Sequence, residues 1–236
     1  MDEEILKGKT LLVVDDEADL RDIVASELEF MGATVFQAEN VAVAQRILGQ
    51  HRVDLIVSDI RMPGATGIDL LDFVKSRDVN APLILITGFA DITTEDAFNK
   101  GAEALIHKPF KLEDLIKLVT RYTSPFEERF TVDVPTQKVI RASDENVRLG
   151  RGGLSLPVET GGKRIDVGDA VEFEFDYDNH HISGRGICRW LRPATEGQSK
   201  SLVGLEFMNL DGESLSYLET LLRENPVVPY IPSAVG

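Results

Sequence analysis

From residue 10 to residue 120, short apolar runs alternate with segments whose apolar residues recur every three or four positions. The runs are LLVV (11–14), TVFQ (34–37), LIVS (55–58), LILI (83–86) and ALI (104–106). Four of the five carry few polar residues, the pattern of strands buried on both faces. Between them, Leu20, Ile23, Val24, Leu28 and Met31 mark a first helix, and Gly32 follows as a stop. Val43, Ile47 and Leu48 mark a second helix, and Ile68, Leu71, Phe73 and Val74 a third. Ile92, Ala97 and Phe98 mark a weaker fourth, and Leu112, Leu115, Ile116 and Val119 a fifth. Five β–α units in series predict an α/β, doubly wound fold, with a five-stranded parallel sheet covered by helices on both faces.

The rhythm changes after Thr120. TSPFEE (123–128) reads as a linker. FTVDV, LSLPV, AVEFEFDY, HISGRGICRWL and LVGLEF follow, several with period-two alternation, separated by Gly, Asp or Asn. This predicts a second, mainly antiparallel β domain, a small barrel or sandwich. Leu215, Leu218, Leu221 and Leu222 predict one closing C-terminal helix. The expected divisions are 1–122 for the first domain, 123–128 for the linker, 129–225 for the second domain and 226–236 for a proline-containing, irregular tail.

Composition narrows the function. A net charge of −15 opposes non-specific attraction to nucleic acid or anionic lipid, and no basic stripe or helix-turn-helix pattern is visible. Cys188 is the single cysteine, so no intrachain disulfide can form. The start, MDEEILKGK, lacks an apolar signal core, and no apolar run reaches membrane-spanning length. These features predict a soluble, cytoplasmic protein that neither binds nucleic acid nor inserts into membranes.

In an open parallel sheet, ligands bind at the carboxyl ends of the strands. Asp15 and Asp16 end the first strand, Asp59 the third, Thr87 the fourth, and His107–Lys108–Pro109 the fifth. Three carboxylates gathered there repel one another, and Mg2+ with its preference for hard oxygen donors relieves that repulsion. A carboxylate beside a metal can attack a phosphoryl group, while Lys108 and the Thr87 hydroxyl can meet its oxygens. Asp15 and Asp16 alone would equally suit a helix N-cap with a first-turn acid. Together with Asp59, Thr87 and Lys108 they point to a phosphoryl-acceptor site.

The segments LLVVDDEADLR, DLIVSDIRMPGATGIDLL, LILITGFAD and GAEALIHKPF resemble a bacterial response-regulator receiver domain over about residues 8–122. The resemblance implies that Asp59 accepts a phosphoryl group from a histidine kinase. It implies Mg2+ binding by Asp16, Asp59 and the Arg61 carbonyl, with Asp15 acting through water, and phosphoryl contacts from Thr87 and Lys108. It also implies a cis Lys108–Pro109 bond and allows a homodimer through the receiver. Receivers usually carry an aromatic residue three positions before this lysine; here the position is Leu105.

From about Phe126 to Leu222 the chain resembles a PilZ domain, through GRGGLSLP, VGDAVEFEF, GRGICRWLRP and LVGLEFMNLDGESLSYLETLL. The resemblance implies a β-barrel. Many PilZ domains bind cyclic di-GMP through R-x-x-x-R and [D/N]-x-S-x-x-G. In SPFEERF, Arg129 fits the second arginine and Pro125 stands where the first belongs. The second motif falls on Arg148, Gly150 and Gly153, and only the last matches. Arg148 and Arg151 could attract an anion, but an acid and a hydroxyl that read guanine are missing, so the glycines more simply serve the turn. Trp190 and Cys188 read as core residues, and His180–His181 as part of a polar hairpin.

The expected protein is therefore a non-enzymatic response regulator, phosphorylated at Asp59, whose second domain acts on an unidentified output protein. A cyclic di-GMP effector with phosphorylation as second input is the near alternative, with Arg129, Arg148, Arg151 and Gly153 as its candidate contacts. A Mg2+-dependent aspartyl phosphohydrolase is the alternative of another class. That fold typically wants D-x-D on the first strand, where this chain has adjacent aspartates.

Overall fold

The computed structural model describes residues 4–77, 82–88, 92–136, 138–142, 147–150, 152–159, 164–194, 200–224 and 233–235. Two compact units emerge: residues 1–93, 102–124 and 234–236 form the first, and residues 94–101 and 125–233 the second.

The early chain runs β1 (Thr10–Val14), α1 (Ala18–Phe30), β2 (Thr34–Ala38), α2 (Val41–Gln50), β3 (Leu55–Asp59), α3 (Gly67–Ser76), β4 (Leu83–Thr87), α4 (Thr94–Lys100), β5 (Ala104–His107) and α5 (Leu112–Thr123). The five strands pair in parallel in the order β2-β1-β3-β4-β5, with Leu12 between Phe36 and Ile56. Every residue of β3 and β4 is buried, which is why their runs carry no charge before the terminal Asp59 of β3. The chain leaves β1 towards β2 on one side and crosses to β3 on the other. That reversal opens a crevice at the carboxyl ends of β1 and β3.

The helices start and stop where their sequences provide caps. Asn40 accepts the Val43 N–H at 3.0 Å ahead of α2, and Thr66 and Asp69 form a reciprocal capping box ahead of α3. Gly32 follows α1 with φ +92°, a conformation that Cβ-bearing residues resist. Val24 and Leu28 from α1 and Leu115, Val119 and Tyr122 from α5 pack on the sheet. Ile23, expected in the α1 apolar stripe, is instead 57% exposed. It lies one residue, about 100° around the helix, from Val24, which takes the core position. Buried Glu103 is satisfied by the Leu83 N–H at 2.5 Å and the Lys75 ammonium at 2.9 Å.

The second unit holds β6 (Lys138–Ala142), β7 (Arg148–Leu149), β8 (Gly153–Glu159), β9 (Ala170–Tyr177), β10 (His180–Arg192), β11 (Lys200–Leu210) and α6 (Gly212–Glu224). Its strands form one sheet ordered β6-β9-β10-β11-β8-β7. All neighbours are antiparallel except β6 and β9, which run parallel, so the sheet is mixed. Register shifts in the β10–β11 pair bend the sheet, and β6 comes alongside β8. The result is an incompletely closed barrel around Leu154, Leu156, Phe173, Ile182, Leu205 and Phe207.

FTVDV, expected as a strand, contributes only a bridge from Thr131 to Asn209; Phe130 turns into the core and Pro135 cannot donate to a ladder. The strand KVIRA, two of whose five residues are basic, was not anticipated. Phe126–Glu128, within the expected linker, form a 3-10 turn, and Phe126 packs against the second unit's core. Trp190 and Cys188 lie in that core, as expected. Asp178 and Asn179, with φ of 48° and 62°, make the two-residue β9–β10 hairpin loop, and His180 stacks on Tyr217.

The tail is not wholly irregular as expected. β12 (Ser233–Val235) lies beside β5 at the edge of the first unit's sheet, making six strands there. An edge strand presents a row of unpaired backbone groups, and a short strand satisfies them whatever its side chains. Residues 225–232 lie outside the described residues.

Candidate phosphoryl-acceptor site

The crevice at the ends of β1 and β3 receives the residues that the strand-end pattern singled out. Asp15, Asp59 and Thr87 are 3%, 4% and 1% exposed. Asp15 Oδ1 accepts the Glu17 N–H at 2.8 Å, and the Arg21 guanidinium holds the Asp15 carbonyl at 2.7 Å. The α1 N-cap is Glu17, so Asp15 and Asp16 do not serve as the cap. The backbone N–H of Lys108 donates to the Thr87 carbonyl at 2.6 Å, which joins the end of β4 to the loop after β5. The Lys108–Pro109 bond is cis.

Lys108 ties the cluster together. Its Nζ lies 2.9 Å from Asp59 Oδ1, 3.1 Å from Glu17 Oε1 and 3.4 Å from Asp15 Oδ2. Burial pushes the Asp59 carboxyl above its ordinary range; the Lys108 hydrogen bond and charge and the Arg61 N–H oppose this, and the Asp16 charge adds to it. Burial raises Asp15 in the same way, against the Glu17 N–H and Lys108. Burial would lower the Lys108 ammonium, but its bonds to Asp59 and Glu17 and the Asp15 charge hold it above the ordinary lysine range.

Two further residues shape the site and were not singled out by sequence. Glu17 directly follows the aspartate pair, and its carboxylate is the third on Lys108. Gly67 opens α3 against the backbone of Asp59: a Cβ there would stand 2.2 Å from the Asp59 carbonyl oxygen. Its place as the first helical residue after MPGAT was the available signal. Leu105, in the position where receivers usually carry an aromatic residue, is fully buried in β5, and His107 is exposed.

The donor set fits a hard divalent cation by type: buried carboxylates at Asp15 and Asp59, a third carboxylate at Asp16, and the Arg61 carbonyl just beyond. Among the described residues, no group of three His, Cys, Asp or Glu side chains is spaced to enclose a metal as it stands. The two buried carboxylates converge on the Lys108 ammonium instead.

In the second unit, Arg148 and Gly153 share one hairpin. Arg148 is exposed opposite Ser155, and the Gly150 N–H closes the turn on the Gly153 carbonyl at 2.9 Å. Arg129 stands on a separate turn, its guanidinium 6.0 Å from the Phe126 ring centre. Arg151 lies outside the described residues. Burial pushes the Cys188 thiol up to about 11, which suits a filler and not a nucleophile.

A parallel five-stranded sheet with an aspartate at the end of β3, a second acid after β1 and a lysine after β5 defines a receiver-type fold. Residues 11–120 match the family model of the response regulator receiver domain, and residues 126–224 match that of the PilZ domain. The chain is therefore a receiver domain followed by a PilZ domain, an architecture of two-component signalling. It is 34% identical over 133 residues to the phosphate regulon transcriptional regulatory protein PhoB of Pseudomonas aeruginosa, covering 54% of this chain and 58% of that protein. It is 34% identical over 118 residues to the DNA-binding transcriptional regulator NtrC of Escherichia coli, covering 50% of this chain and 25% of that one. The chain thus spans at most 58% of either of these relatives. The receiver domain of the Francisella response regulator 1452 superposes with a TM-score of 0.47 at 25% identity, covering 49% of this chain and 97% of that one. Among the described residues, no helix is long and apolar enough to cross a membrane.

Proposed function

We propose that this chain is a phosphorylation-controlled response regulator in which Asp59 accepts a phosphoryl group from a histidine kinase. The observation that carries the proposal is Lys108 Nζ, 2.9 Å from Asp59 and 3.4 Å from Asp15, at the mouth of a parallel-sheet crevice. A carboxylate oxygen of Asp59 attacks phosphorus as the donor's bond to phosphorus breaks, and the electron pair leaves with the donor. Lys108 and the Thr87 hydroxyl meet the transferred oxygens. Mg2+, held by Asp16, Asp59 and the Arg61 carbonyl, with Asp15 acting through water, would offset the charge of the carboxylates and the phosphoryl group.

The PilZ domain acts as the output, by binding a protein partner and not nucleic acid. What supports this is the mismatch at its ligand motifs: Pro125 in place of an arginine, Arg148 in place of an acid, and Gly150 in place of a serine. The acceptor assignment is tested with acetyl phosphate and Mg2+ followed by peptide mass spectrometry. Labelling is expected at Asp59 and lost in Asp59→Asn; undiminished labelling of that variant would sink the assignment.

A further inference from the structure

We propose that Glu17 is a positioning residue that occupies Lys108 until an arriving phosphoryl group displaces it; this rests on Asp59 being the phosphoryl acceptor. An ammonium has three N–H donors. Lys108 Nζ faces three carboxylates, Asp59 at 2.9 Å, Glu17 at 3.1 Å and Asp15 at 3.4 Å. Every donor has an acceptor, so none is left for a phosphoryl oxygen. One of the three bonds has to open first.

Exposure decides which. The side chains of Asp15 and Asp59 are 5% and 6% exposed, and that of Glu17 is 66% exposed. A buried carboxylate that loses its cation is left without water to replace it. The Glu17 carboxylate, already largely hydrated, loses little. Glu17 is therefore the partner that leaves. Its local role agrees: it stands at the N-cap of α1, yet its side chain accepts no capping hydrogen bond. The carboxylate is turned to Lys108 instead.

The exchange needs no further reactant. A bond forms between an Asp59 oxygen and phosphorus, and the donor's bond to phosphorus breaks; with acetyl phosphate the leaving group is acetate. The Lys108 N–H that pointed at Glu17 turns to a phosphoryl oxygen, and no proton changes owner. Glu17 also adds negative charge at the mouth through which an anionic donor enters. Its removal acts in one direction on both counts.

The test compares the full-length chain with Glu17→Gln and Glu17→Ala, using acetyl phosphate and Mg2+ and intact-mass spectrometry against time. Both variants are expected to label about two- to fivefold faster, the range an exposed charge pair supports. The advantage should shrink as salt rises from about 20 mM to about 0.5 M, where exposed charges are screened. Most of it should be lost in a Lys108→Met background, because Glu17 acts mainly through that ammonium and only in small part by repelling the donor. An equal or slower rate in the Glu17 variants, with the unmodified chain labelled at Asp59, overturns the inference and leaves the acceptor assignment standing. An acceleration that persists undiminished without Lys108 reduces Glu17 to a repelling charge and also overturns it. If the unmodified chain takes no label, or Asp59→Asn takes as much, the acceptor assignment itself fails.

Discussion

Replacing Gly67 by alanine places a methyl group where the structure has no room. The added carbon would stand 2.2 Å from the Asp59 carbonyl oxygen, 3.0 Å from the Asp59 carbonyl carbon and 3.0 Å from Ser58 Oγ. The nearest obstacle is backbone, so no side-chain rotation relieves it. To reach ordinary van der Waals contact, α3 or the end of β3 has to retreat by about 1 Å. Both sides are anchored, α3 by its capping box and by the Gly67 N–H to the Ile60 carbonyl at 3.0 Å. Overpacking costs about 1–3 kcal/mol, and anchoring favours the upper part of that range. Better helix propensity for alanine returns up to about 1 kcal/mol. A net loss of about 2 kcal/mol is therefore expected in the first unit. The same retreat moves Asp59, and a 1 Å misplacement of a reacting group can cost about 100-fold, so labelling by acetyl phosphate should slow at least about tenfold. Stability is best read by far-UV circular dichroism in urea, because the single tryptophan, Trp190, lies in the other unit's core. A Gly67→Ala chain within about 0.5 kcal/mol of the unmodified one, and labelled at its rate, would refute the close approach.

Three further outcomes are expected. Asp16→Ala should weaken Mg2+ binding, measured by calorimetry, more than Asp15→Ala, since a direct carboxylate ligand contributes more than one acting through water; the reverse order would contradict the assignment. Asp211 is pushed up by burial but pulled below its ordinary 3.8 by the Ser183 and Ser214 hydroxyls and by the Ser214 and Glu213 N–H groups. Asp211 directly precedes α6 and accepts its first N–H groups, so Asp211→Ala should cost about 1–2 kcal/mol at pH 7; a depressed carboxyl loses its contribution as pH falls through its folded value, so the cost should shrink progressively below pH 3.8, and a pH-independent loss in urea titrations would show that the ionised carboxylate is not responsible. Cyclic di-GMP should not bind in the micromolar range at physiological salt, because one charge-assisted contact and two base-edge contacts are missing, at about 1–3 kcal/mol each; a calorimetric Kd of a few micromolar, lost in Arg129→Ala or Arg148→Ala, would make the loop a working site.

The parallel strands were legible because burial on both faces leaves apolar runs that survive any local propensity. β3 and β4 match LIVS and LILI to within a residue. The acidic cluster was legible for a related reason: in this topology, the residue that ends a strand is the residue that lines the crevice. Glu17 was not, because its partner Lys108 is 91 residues away and the pairing depends on how the two loops meet. Gly67 carries no decisive sequence signal of its own, because a glycine at a helix start also suits ordinary turn chemistry; only the backbone of Asp59 beside it reveals the close fit. In the second domain, alternation found the long strands, but β6 is short and charged and sits at an edge. FTVDV alternates well and still forms no strand, since alternation reports a half-buried segment and not its hydrogen-bond partners.

The strand order of the PilZ domain carries a constraint of contour length. β6 and β7 are the two edges of a six-stranded sheet, yet only residues 143–147 separate Ala142 from Arg148. Laid flat, the outer strands would stand about 24 Å apart, five spacings of about 4.8 Å. Six residue steps, fully extended, reach about 20–22 Å. The two edge strands also point the same way, so in a flat sheet the end of β6 and the start of β7 would lie at opposite ends as well as opposite edges. A flat sheet is thus out of reach of its own covalent chain. Chain length and register thus agree: five residues between the two edges demand a curved sheet, and the register shifts of the β10–β11 pair supply the bend that brings β6 alongside β8.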